Sequence, residues 1–279
     1  VNLMPGTDKN ELRSRLEFAV GAARAAGKLA LDYYQSTDLV VDRKSDASPV
    51  TRADREAEQL IRASLSESFP DDAILGEEFG EQSGSTGYRW YLDPVDGTES
   101  FIRGVPLWGT TIGLELGGQP VAGVVALPAL NEIVWAGNGL GAWWANRVSQ
   151  LQEGETFPDE VRPARVSEVS NIADAFMTST SVKTFDKVGT FAGYDRLRKV
   201  VSEDRGWGDC YGYLLVATGR IDIHIDPEMN IWDVAPMPTI IEEAGGRATD
   251  LDGKGGIDLE NLIATNGQLH DRVLELLNG

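Results

Sequence analysis

The stretch Trp90–Phe101 constrains the fold most, because a strand pattern, two carboxylates and a turn follow one another within it. Its apolar start predicts a short buried strand that ends on Asp93, since Pro94 removes a backbone donor and stops the strand. Asp96 adds a second carboxylate, and Gly97 opens a turn whose free N–H groups can begin a helix. Carboxylate oxygens suit Mg²⁺, and N–H groups at a helix start suit phosphate. The stretch therefore predicts metal-assisted phosphoryl chemistry.

The charge balance limits the partners of the chain. The 44 acidic and 25 basic residues give a net charge of -19, which repels nucleic acid and anionic membranes. The single cysteine, Cys210, cannot form an internal disulfide, which fits a reducing compartment. The first ten residues lack a signal-peptide pattern, and no apolar run reaches the length of a membrane span. We expect a cytoplasmic protein with a small-molecule substrate and neither a nucleic-acid nor a membrane partner.

Apolar residues at three- and four-residue spacing predict two amphipathic helices in the first half, from about Glu11 to Tyr34 and from about Arg52 to Phe69. The polar segment Val40–Val50 between them predicts a mobile loop. Short apolar runs separated by turn residues predict a strand and then an antiparallel meander: Ala73–Leu75, Thr110–Leu116, Val121–Leu127 and Glu132–Ala136. This half is therefore predicted to be α+β.

The polar, acidic stretch Asn146–Pro163 is the best candidate for a domain boundary, because it shows little periodicity. Beyond it, strand and helix patterns alternate: strands at Ala175–Thr180, Ile221–Ile225 and Leu262–Thr265, helices at Val182–Ala192, Tyr211–Thr218, Trp232–Ala244 and Leu269–Leu277. We predict an N-terminal α+β domain, 1–150, that carries most metal and phosphate ligands. A C-terminal α/β domain, 151–279, would supply Asp233 and the substrate pocket.

Four segments place a carboxylate at the end of a predicted element, where a rigid scaffold presents functional groups: Thr51–Asp54, Gly76–Glu78, Asp93–Thr98 and Ile231–Asp233. Each also has an ordinary structural explanation. Asp54 can complete a capping box, Glu77 and Glu78 can be solvated loop charges, Asp93 and Asp96 can cap a helix, and Asp233 can be a first-turn acid. Any one of these explanations can hold for its own segment, but it is much less probable that all four hold together.

A three-part signature resembles the inositol monophosphatase superfamily. It consists of Gly76-Glu-Glu78, of Asp93-Pro-Val-Asp-Gly-Thr98, and of Trp232-Asp233 followed by Glu243-Ala-Gly-Gly246. The resemblance spans most of the chain, from Asp54 to Gly246. It implies a Mg²⁺-dependent, lithium-sensitive phosphomonoesterase, commonly a homodimer, with a layered αβαβα fold.

The resemblance also implies a set of two to three Mg²⁺ ions. Glu77, Asp93 and the carbonyl of Val95 would hold the first ion, and Asp93 would bridge to a second ion held also by Asp96 and Asp233. A third, weaker ion would rest on Glu77. Metals and fixed N–H donors stabilise the charge that spreads over a phosphoryl group in transfer.

For the reacting water, the resemblance implies that Thr98 and Glu77 orient and deprotonate it, while Asp54 holds the Thr98 hydroxyl. The N–H groups of Gly97 and Thr98 would grip the phosphate. The residues implied to contact the substrate are Val95, Asp96, Gly97, Thr98, Arg205, Asp209, Asp226 and Asp233.

Three segments look like the histidinol-phosphate phosphatase branch: Ser100–Pro106, Trp207–Tyr213 and Asp226–Asp233. Histidinol phosphate carries an ammonium and an imidazole, so an acidic pocket suits it, and Asp209 and Asp226 are the candidates. Arg205 would contact the phosphate or a neighbouring carboxylate. A helix cap for Asp209 and a turn for Asp226 stay open as alternatives.

Two departures from the family pattern leave local questions. Glu99 places an acid beside the phosphate-gripping turn, and Pro236 with Pro238 should delay or kink the helix that carries Asp233. The leading hypothesis is hydrolysis of L-histidinol phosphate in histidine biosynthesis. The alternatives are an inositol-1-monophosphatase or broader phosphatase and, in another class, a non-catalytic Mg²⁺- or phosphate-binding regulator.

Overall fold

The structure, a computed structural model, describes residues 8–44, 49–146 and 161–279. Its helices are α1 (Lys9–Tyr33), α2 (Arg52–Ser68), α3 (Thr98–Ile102), α4 (Val182–Lys187), α5 (Phe191–Arg198), α6 (Asp209–Ala217), α7 (Ile231–Val234), α8 (Met237–Glu243) and α9 (His270–Asn278). Its strands are β1 (Val41–Arg43), β2 (Pro49–Thr51), β3 (Ala73–Gly76), β4 (Gly80–Gln82), β5 (Tyr88–Asp96), β6 (Gly109–Leu116), β7 (Gln119–Leu127), β8 (Glu132–Gly137), β9 (Gly141–Asn146), β10 (Arg162–Pro163), β11 (Phe176–Ser179), β12 (Glu203–Arg205), β13 (Ile223–Asp226), β14 (Arg247–Thr249) and β15 (Leu262–Thr265). Within these ranges no helix is both long and apolar enough to cross a membrane.

A large sheet has the order β10-β9-β8-β7-β6-β5-β3-β4. All its neighbouring strands run antiparallel except β3 and β5, which are parallel. The meander predicted from alternating apolar runs and turns forms β6, β7 and β8, and β9 extends it by one strand that was not predicted. A second sheet has the order β12-β11-β13-β15-β14, in which β12, β11 and β13 are parallel and the other pairs antiparallel.

Three apolar clusters pack these elements into layers. The first joins α1 and α2 to one face of the large sheet, through residues such as Leu16 and Ile61. The second places α6 and α8 between the two sheets, and the third covers the outer face of the smaller sheet with α4, α5 and α9. The layered αβαβα arrangement is confirmed, since each sheet buries both faces against helices.

The strand at the chain's signature does not end at Asp93, as the sequence predicts. β5 continues to Asp96, because the pairing with β6 shifts register between Asp93 and Asp96. Pro94 lies in that irregularity, where its missing N–H costs no ladder hydrogen bond, and its carbonyl accepts from Thr110 Oγ1 at 2.8 Å. The irregular end of β5 thus brings both aspartates to one edge of the sheet.

The segment Val40–Val50, which the sequence predicts to be a mobile loop, contains strand β1 and the start of strand β2. β1 and β2 pair antiparallel, with Asp42 opposite Val50, and residues 45–48 lie outside the described part of the chain. The helix predicted at Val182–Ala192 is two helices, α4 and α5, separated by a glycine in the left-handed region, Gly189. β4, β12 and β14 are short strands without a clear sequence pattern.

The helix predicted at Trp232–Ala244 is also divided, into α7 and α8, at the position where the two prolines were expected to disturb it. Pro236 precedes α8 as its N-cap, where a ring without an N–H is tolerated. The predicted boundary between residues 150 and 151 lies outside the described residues. β10 follows this boundary in sequence, but it pairs with β9 of the large sheet. The division into two domains stays a prediction.

Candidate metal and phosphate site

Three aspartates from two elements meet at the edge of the large sheet. Asp93 and Asp96 lie on the irregular end of β5, and Asp233 lies in the first turn of α7. Each offers a carboxylate oxygen within 4.8 Å of the other two. The sequence separates Asp233 from Asp96 by more than a hundred residues, so only the packing of α7 against β5 joins them.

One oxygen of each carboxylate is held by a backbone N–H. Asp93 Oδ1 accepts from Val95 N at 2.9 Å, and Asp96 Oδ2 accepts from Cys210 N at 2.5 Å. Asp233 Oδ2 accepts from the N–H of Asn230 at 2.9 Å in a capping box. The first-turn explanation of Asp233 is therefore true, and so is its place in the cluster. These contacts fix the carboxylates, and Asp93 and Asp233 also interact with each other through their side chains.

The protonation of the cluster is shifted by burial. Burial raises the pKa of Asp93 and Asp96 well above the usual range, and the charges of Glu77 and Asp209, respectively, raise them further. Burial likewise raises the pKa of Asp233 to about 7, although the Asn230 N–H opposes it. Buried carboxylates of like charge need a cation to be stable in ionised form. A donor set of carboxylate oxygens with a nearby carbonyl fits Mg²⁺.

This arrangement predicts how stability depends on pH without metal. A carboxyl whose folded pKa is raised stabilises the fold at pH values below its unfolded pKa, near 4, and this contribution is lost as the pH rises through the folded pKa. Asp209 has a pKa of about 6, and Asp233 and Glu78 have pKa values of about 7, so we expect Tm in chelator to fall between about pH 5 and 7.5. Burial lowers the pKa of His270 to about 4, which offsets part of this fall below about pH 6.5. With Mg²⁺ present, coordination favours the ionised carboxylates, so the fall should shrink. Thermal scans with chelator or Mg²⁺ test this, and a metal-free Tm that is flat or rises over the window would contradict it.

Glu77 lies at the end of β3, beside β5, and its N–H donates to the Leu92 carbonyl at 3.1 Å. Its Oε1 is 2.6 Å from Lys44 Nζ, which also contacts Glu78 Oε1 at 2.5 Å. Burial raises the pKa of Glu78 to about 7, and Lys44 acts in the opposite direction. Burial lowers the pKa of Lys44, but its hydrogen bonds to the two glutamates outweigh this and raise it. Lys44 is a site residue that the sequence analysis missed, because it belongs to a segment interpreted as a loop.

The turn after Gly76 is held from behind by a buried ion pair. Glu58 Oε2 accepts from the Glu78 N–H at 2.7 Å, and Glu58 Oε1 lies 2.7 Å from Arg62 Nε. A Cβ at Gly76 would lie 2.0 Å from Glu58 Oε1, so only glycine leaves room for this contact. The glycine of the Gly-Glu-Glu motif therefore allows the support that orients Glu77.

Asp54 makes the contacts expected for both of the roles considered for it. Its Oδ2 accepts from the Thr51 N–H at 2.8 Å and from Thr51 Oγ1 at 2.6 Å, which completes a capping box. Its Oδ1 lies 3.4 Å from Thr98 Oγ1, whose hydroxyl also lies 3.1 Å from the Val95 carbonyl. Burial raises the pKa of Asp54, while Thr51 opposes the shift. The cap holds Asp54 in place, so its other oxygen is directed at Thr98.

The turn between Asp96 and Thr98 requires glycine. Gly97 has φ 84°, in the left-handed region, and is the N-cap of α3. A Cβ there would lie 3.0 Å from the Leu107 carbonyl and 3.1 Å from Asp209 Oδ2. Glu99, the acid that departs from the family pattern, pairs with Arg103 at 3.0 Å on the exposed side of α3. Its carboxylate is therefore balanced by a neighbouring cation.

A partly open cavity adjoins the aspartate cluster. Its lining is mostly acidic, polar or sulfur-containing: Asp96, Thr180, Asp209, Cys210, Tyr213, Asp226, Glu228, Met229, Asp233 and Met237. Asp96 and Asp233 belong both to the cluster and to this lining, so the two regions share a wall. A small molecule could thus hold one group at the aspartates and another in the cavity.

Asp209 and Asp226 form the acidic wall of the cavity. Asp209 begins α6 with φ 55°, a strained conformation for a residue with a Cβ, and no side-chain hydrogen bond caps that helix. Burial raises its pKa to about 6, helped by the charge of Asp226. Asp226 ends β13 and is 3% exposed. Its Oδ2 lies 3.0 Å from His224 Nε2, whereas Oδ1 meets no hydrogen-bond partner among the described residues.

Arg205 is not among the residues that line this cavity. It lies on the edge strand β12, where its Nη1 is 2.7 Å from Glu203 Oε2. The two partners expected for Arg205 were the phosphate and a neighbouring carboxylate, and in the structure it contacts a carboxylate, that of Glu203. Trp207, which precedes the cavity wall, is 38% exposed and stacks on Phe176 with 5.7 Å between the ring centroids.

Comparisons with known proteins agree with the signature. The sequence model of the inositol monophosphatase family matches residues 11–279. The chain is 39% identical to a histidinol-phosphatase of Streptomyces coelicolor, over 94% of this chain and 96% of that protein. It is 40% identical to a histidinol-phosphatase of Chlorobaculum parvum, over 91% and 93%. Among solved structures, the IMPase of Thermotoga maritima is similar, with a TM-score of 0.80 and 30% identity over 95% of this chain and 97% of that one.

Proposed function

The chain belongs to the inositol monophosphatase family, and from that premise we propose that it hydrolyses L-histidinol phosphate to L-histidinol and phosphate with Mg²⁺. Its named relatives identify the chain as a phosphoric monoester hydrolase. The finer assignment to histidinol phosphate rests on the acidic cavity next to the aspartate cluster. We further propose a place in histidine biosynthesis, a cytoplasmic location and a homodimer.

The observation that carries the proposal is the shared wall formed by Asp96 and Asp233. A phosphate bound at the cluster would leave the remainder of the substrate facing Asp209 and Asp226. These two carboxylates favour a cationic group over a neutral polyol, since Asp226 is buried and its Oδ1 has no hydrogen-bond partner among the described residues. Histidinol phosphate has an ammonium and an imidazole at its non-reacting end.

In the proposed mechanism, Asp93, Asp96, Asp233, Glu77 and the carbonyl of Val95 would hold two to three Mg²⁺ ions. When bound, the ions would neutralise phosphate charge and lower the pKa of a bound water. The backbone N–H groups of Gly97 and Thr98 bind phosphate oxygens at the start of α3. Because Gly97 allows the tight left-handed turn, these donors are fixed before the substrate arrives.

Proton transfer is assigned to Asp54, Thr98 and Glu77. The Thr98 hydroxyl donates to Asp54 Oδ1, 3.4 Å away, so that the Thr98 oxygen is free to accept from the attacking water. Glu77 then acts as the base that removes a proton from this water. In the structure Glu77 is paired with Lys44, which is the local cation that a metal would have to replace or accompany.

Inositol-1-monophosphatase activity is the second candidate, and the similarity to the Thermotoga maritima IMPase favours it. The acidic cavity argues for the cationic substrate instead. The regulator hypothesis lacks support, because the contact between Asp54 and Thr98 has no use in a protein that only binds phosphate.

Asp226→Asn tests the substrate assignment. A hydrogen bond to a charged group contributes about 1.5–3 kcal/mol, so we expect KM for L-histidinol phosphate to rise about ten- to hundredfold, with a smaller change in kcat. Glu228→Gln is the matched control, since Glu228 lines the same cavity but is 47% exposed and paired with Lys187 at 2.7 Å. Equal effects of the two substitutions would refute the assignment of Asp226.

A further inference from the structure

A buried hydrogen-bonded chain lies directly behind Asp226. Thr178 Oγ1 is 2.8 Å from His224 Nδ1, and His224 Nε2 is 3.0 Å from Asp226 Oδ2. Thr178 and His224 are fully buried and are register partners on the parallel strands β11 and β13. His224 and Asp226 are two residues apart on β13, so their side chains leave the sheet on the same face.

The direction of these hydrogen bonds follows from the donors available. A carboxylate only accepts, so His224 Nε2 carries the proton and donates to Asp226 Oδ2. In the neutral ring Nδ1 is then an acceptor, and the Thr178 hydroxyl donates to it. The Asp226 carboxylate thus selects the tautomer, and the Thr178 hydroxyl, which can donate or accept, holds the ring in that tautomer by donating to Nδ1.

The imidazole ring of His224 has little freedom to move. Tyr213 packs edge-on against it, with ring centroids 4.5 Å apart at 86°. On α6, a Cβ at Gly212 would lie 2.2 Å from Nδ1, so the helix backbone presses directly on the ring. The Tyr213 hydroxyl lies 3.2 Å from Met229 Sδ, and it is close enough to Asp226 that burial and this carboxylate together raise the pKa of Tyr213. A ring clamped in this way can fix the orientation of the carboxylate that it binds.

We propose that Thr178 and His224 are positioning residues for specificity: they hold Asp226 by Oδ2, so that Oδ1 is presented to a cationic group of the substrate. Among the described residues, Oδ1 is the buried carboxylate oxygen of the cavity wall that lacks a partner. An unpaired buried oxygen is costly unless a ligand satisfies it. This inference rests on the proposed function, because it needs a substrate that carries a cation.

The experiment compares kcat/KM for L-histidinol phosphate with kcat/KM for 4-nitrophenyl phosphate, whose leaving group has no cation. The ratio of the two values is the preference. We expect Thr178→Val to lower the preference about threefold and His224→Phe about tenfold or more, chiefly through KM for histidinol phosphate. In an Asp226→Asn background, His224→Phe should cause little further loss, because His224 acts through Asp226.

Thr249→Val is the matched control. Thr249 Oγ1 lies 2.8 Å from His270 Nε2, a second buried threonine–histidine contact, which joins β14 of the same sheet to α9 away from the cavity lining. The Thr249→Val variant should lower Tm about as much as Thr178→Val does, but it should keep the parental preference for histidinol phosphate. If His224→Phe does not fold, the nearly isosteric Thr178→Val still decides the question.

Three results would overturn the inference: a parental preference in both single variants, equal losses for both substrates, or additive losses in the double variant. If the parent chain itself shows no preference for histidinol phosphate, the proposed function fails and the inference falls with it. If the parent prefers histidinol phosphate and both variants keep that preference, the inference is refuted and the proposed function stands.

Discussion

Replacing Asp93 by asparagine is expected to lower kcat/KM by about 10³-fold or more, which corresponds to about 4 kcal/mol of transition-state stabilisation. Asp93 is at the centre of the aspartate cluster, and its proposed role is to bridge two ions. Asparagine keeps the shape but removes the negative charge that both ions would share. Phosphate release at saturating Mg²⁺ measures the loss, and isothermal titration with Mg²⁺ should show weaker binding.

The same substitution should not reduce the stability of the metal-free protein. Burial and the charges of Glu77, Asp96 and Asp233 raise the pKa of Asp93, so removing its charge relieves repulsion. Asp72→Asn is the contrasting control, because Asp72 is 1% exposed but bound by Arg15, Thr86 and Trp90. We expect Asp72→Asn to lower Tm and to preserve activity per folded molecule. An Asp93→Asn protein that keeps more than a tenth of the parental activity would refute the bridging role.

Replacing Thr98 by valine is expected to lower kcat about 10²- to 10³-fold and to change KM for the substrate much less. Valine keeps the volume but lacks the hydroxyl that lies between Asp54 Oδ1 and the Val95 carbonyl. The backbone N–H of residue 98 stays, so phosphate binding should persist. Initial rates over a range of substrate concentrations separate the two parameters.

Thr110→Val is the control for the loss of a threonine hydroxyl near the site. The Thr110 hydroxyl donates to the Pro94 carbonyl at 2.8 Å on the same strand irregularity, but it has no proposed part in the reaction. We expect this variant to lose some stability and less than tenfold in kcat. A Thr98→Val enzyme that matches the Thr110→Val enzyme would exclude Thr98 from water activation.

Local sequence signals predicted the elements around the site well. Helix α2 begins at its capping box, and β3 and α3 lie where an apolar run and a Gly-Thr turn indicated them. Pro94 was misinterpreted, because proline stops a regular ladder but not one that already shifts register there. A register shift depends on the partner strand β6, which no local pattern reveals.

The contacts between distant segments could not be derived from local patterns. The meeting of Asp233 with Asp93 and Asp96 depends on how α7 packs on the large sheet; its expectation came from the family resemblance. Lys44 gave no signal, since a lysine in a polar segment is usually solvated. The pairing of His224 with Asp226 did have a signal, because residues two apart on a strand share a face.

The most direct test of the central claim is phosphate release from L-histidinol phosphate and from inositol 1-phosphate, each measured with Mg²⁺ and with excess chelator. We predict turnover of histidinol phosphate at a kcat/KM at least about tenfold above that for inositol 1-phosphate, and loss of both activities in chelator. Undiminished activity in chelator would contradict the metal mechanism, and a preference for inositol 1-phosphate would contradict the substrate assignment.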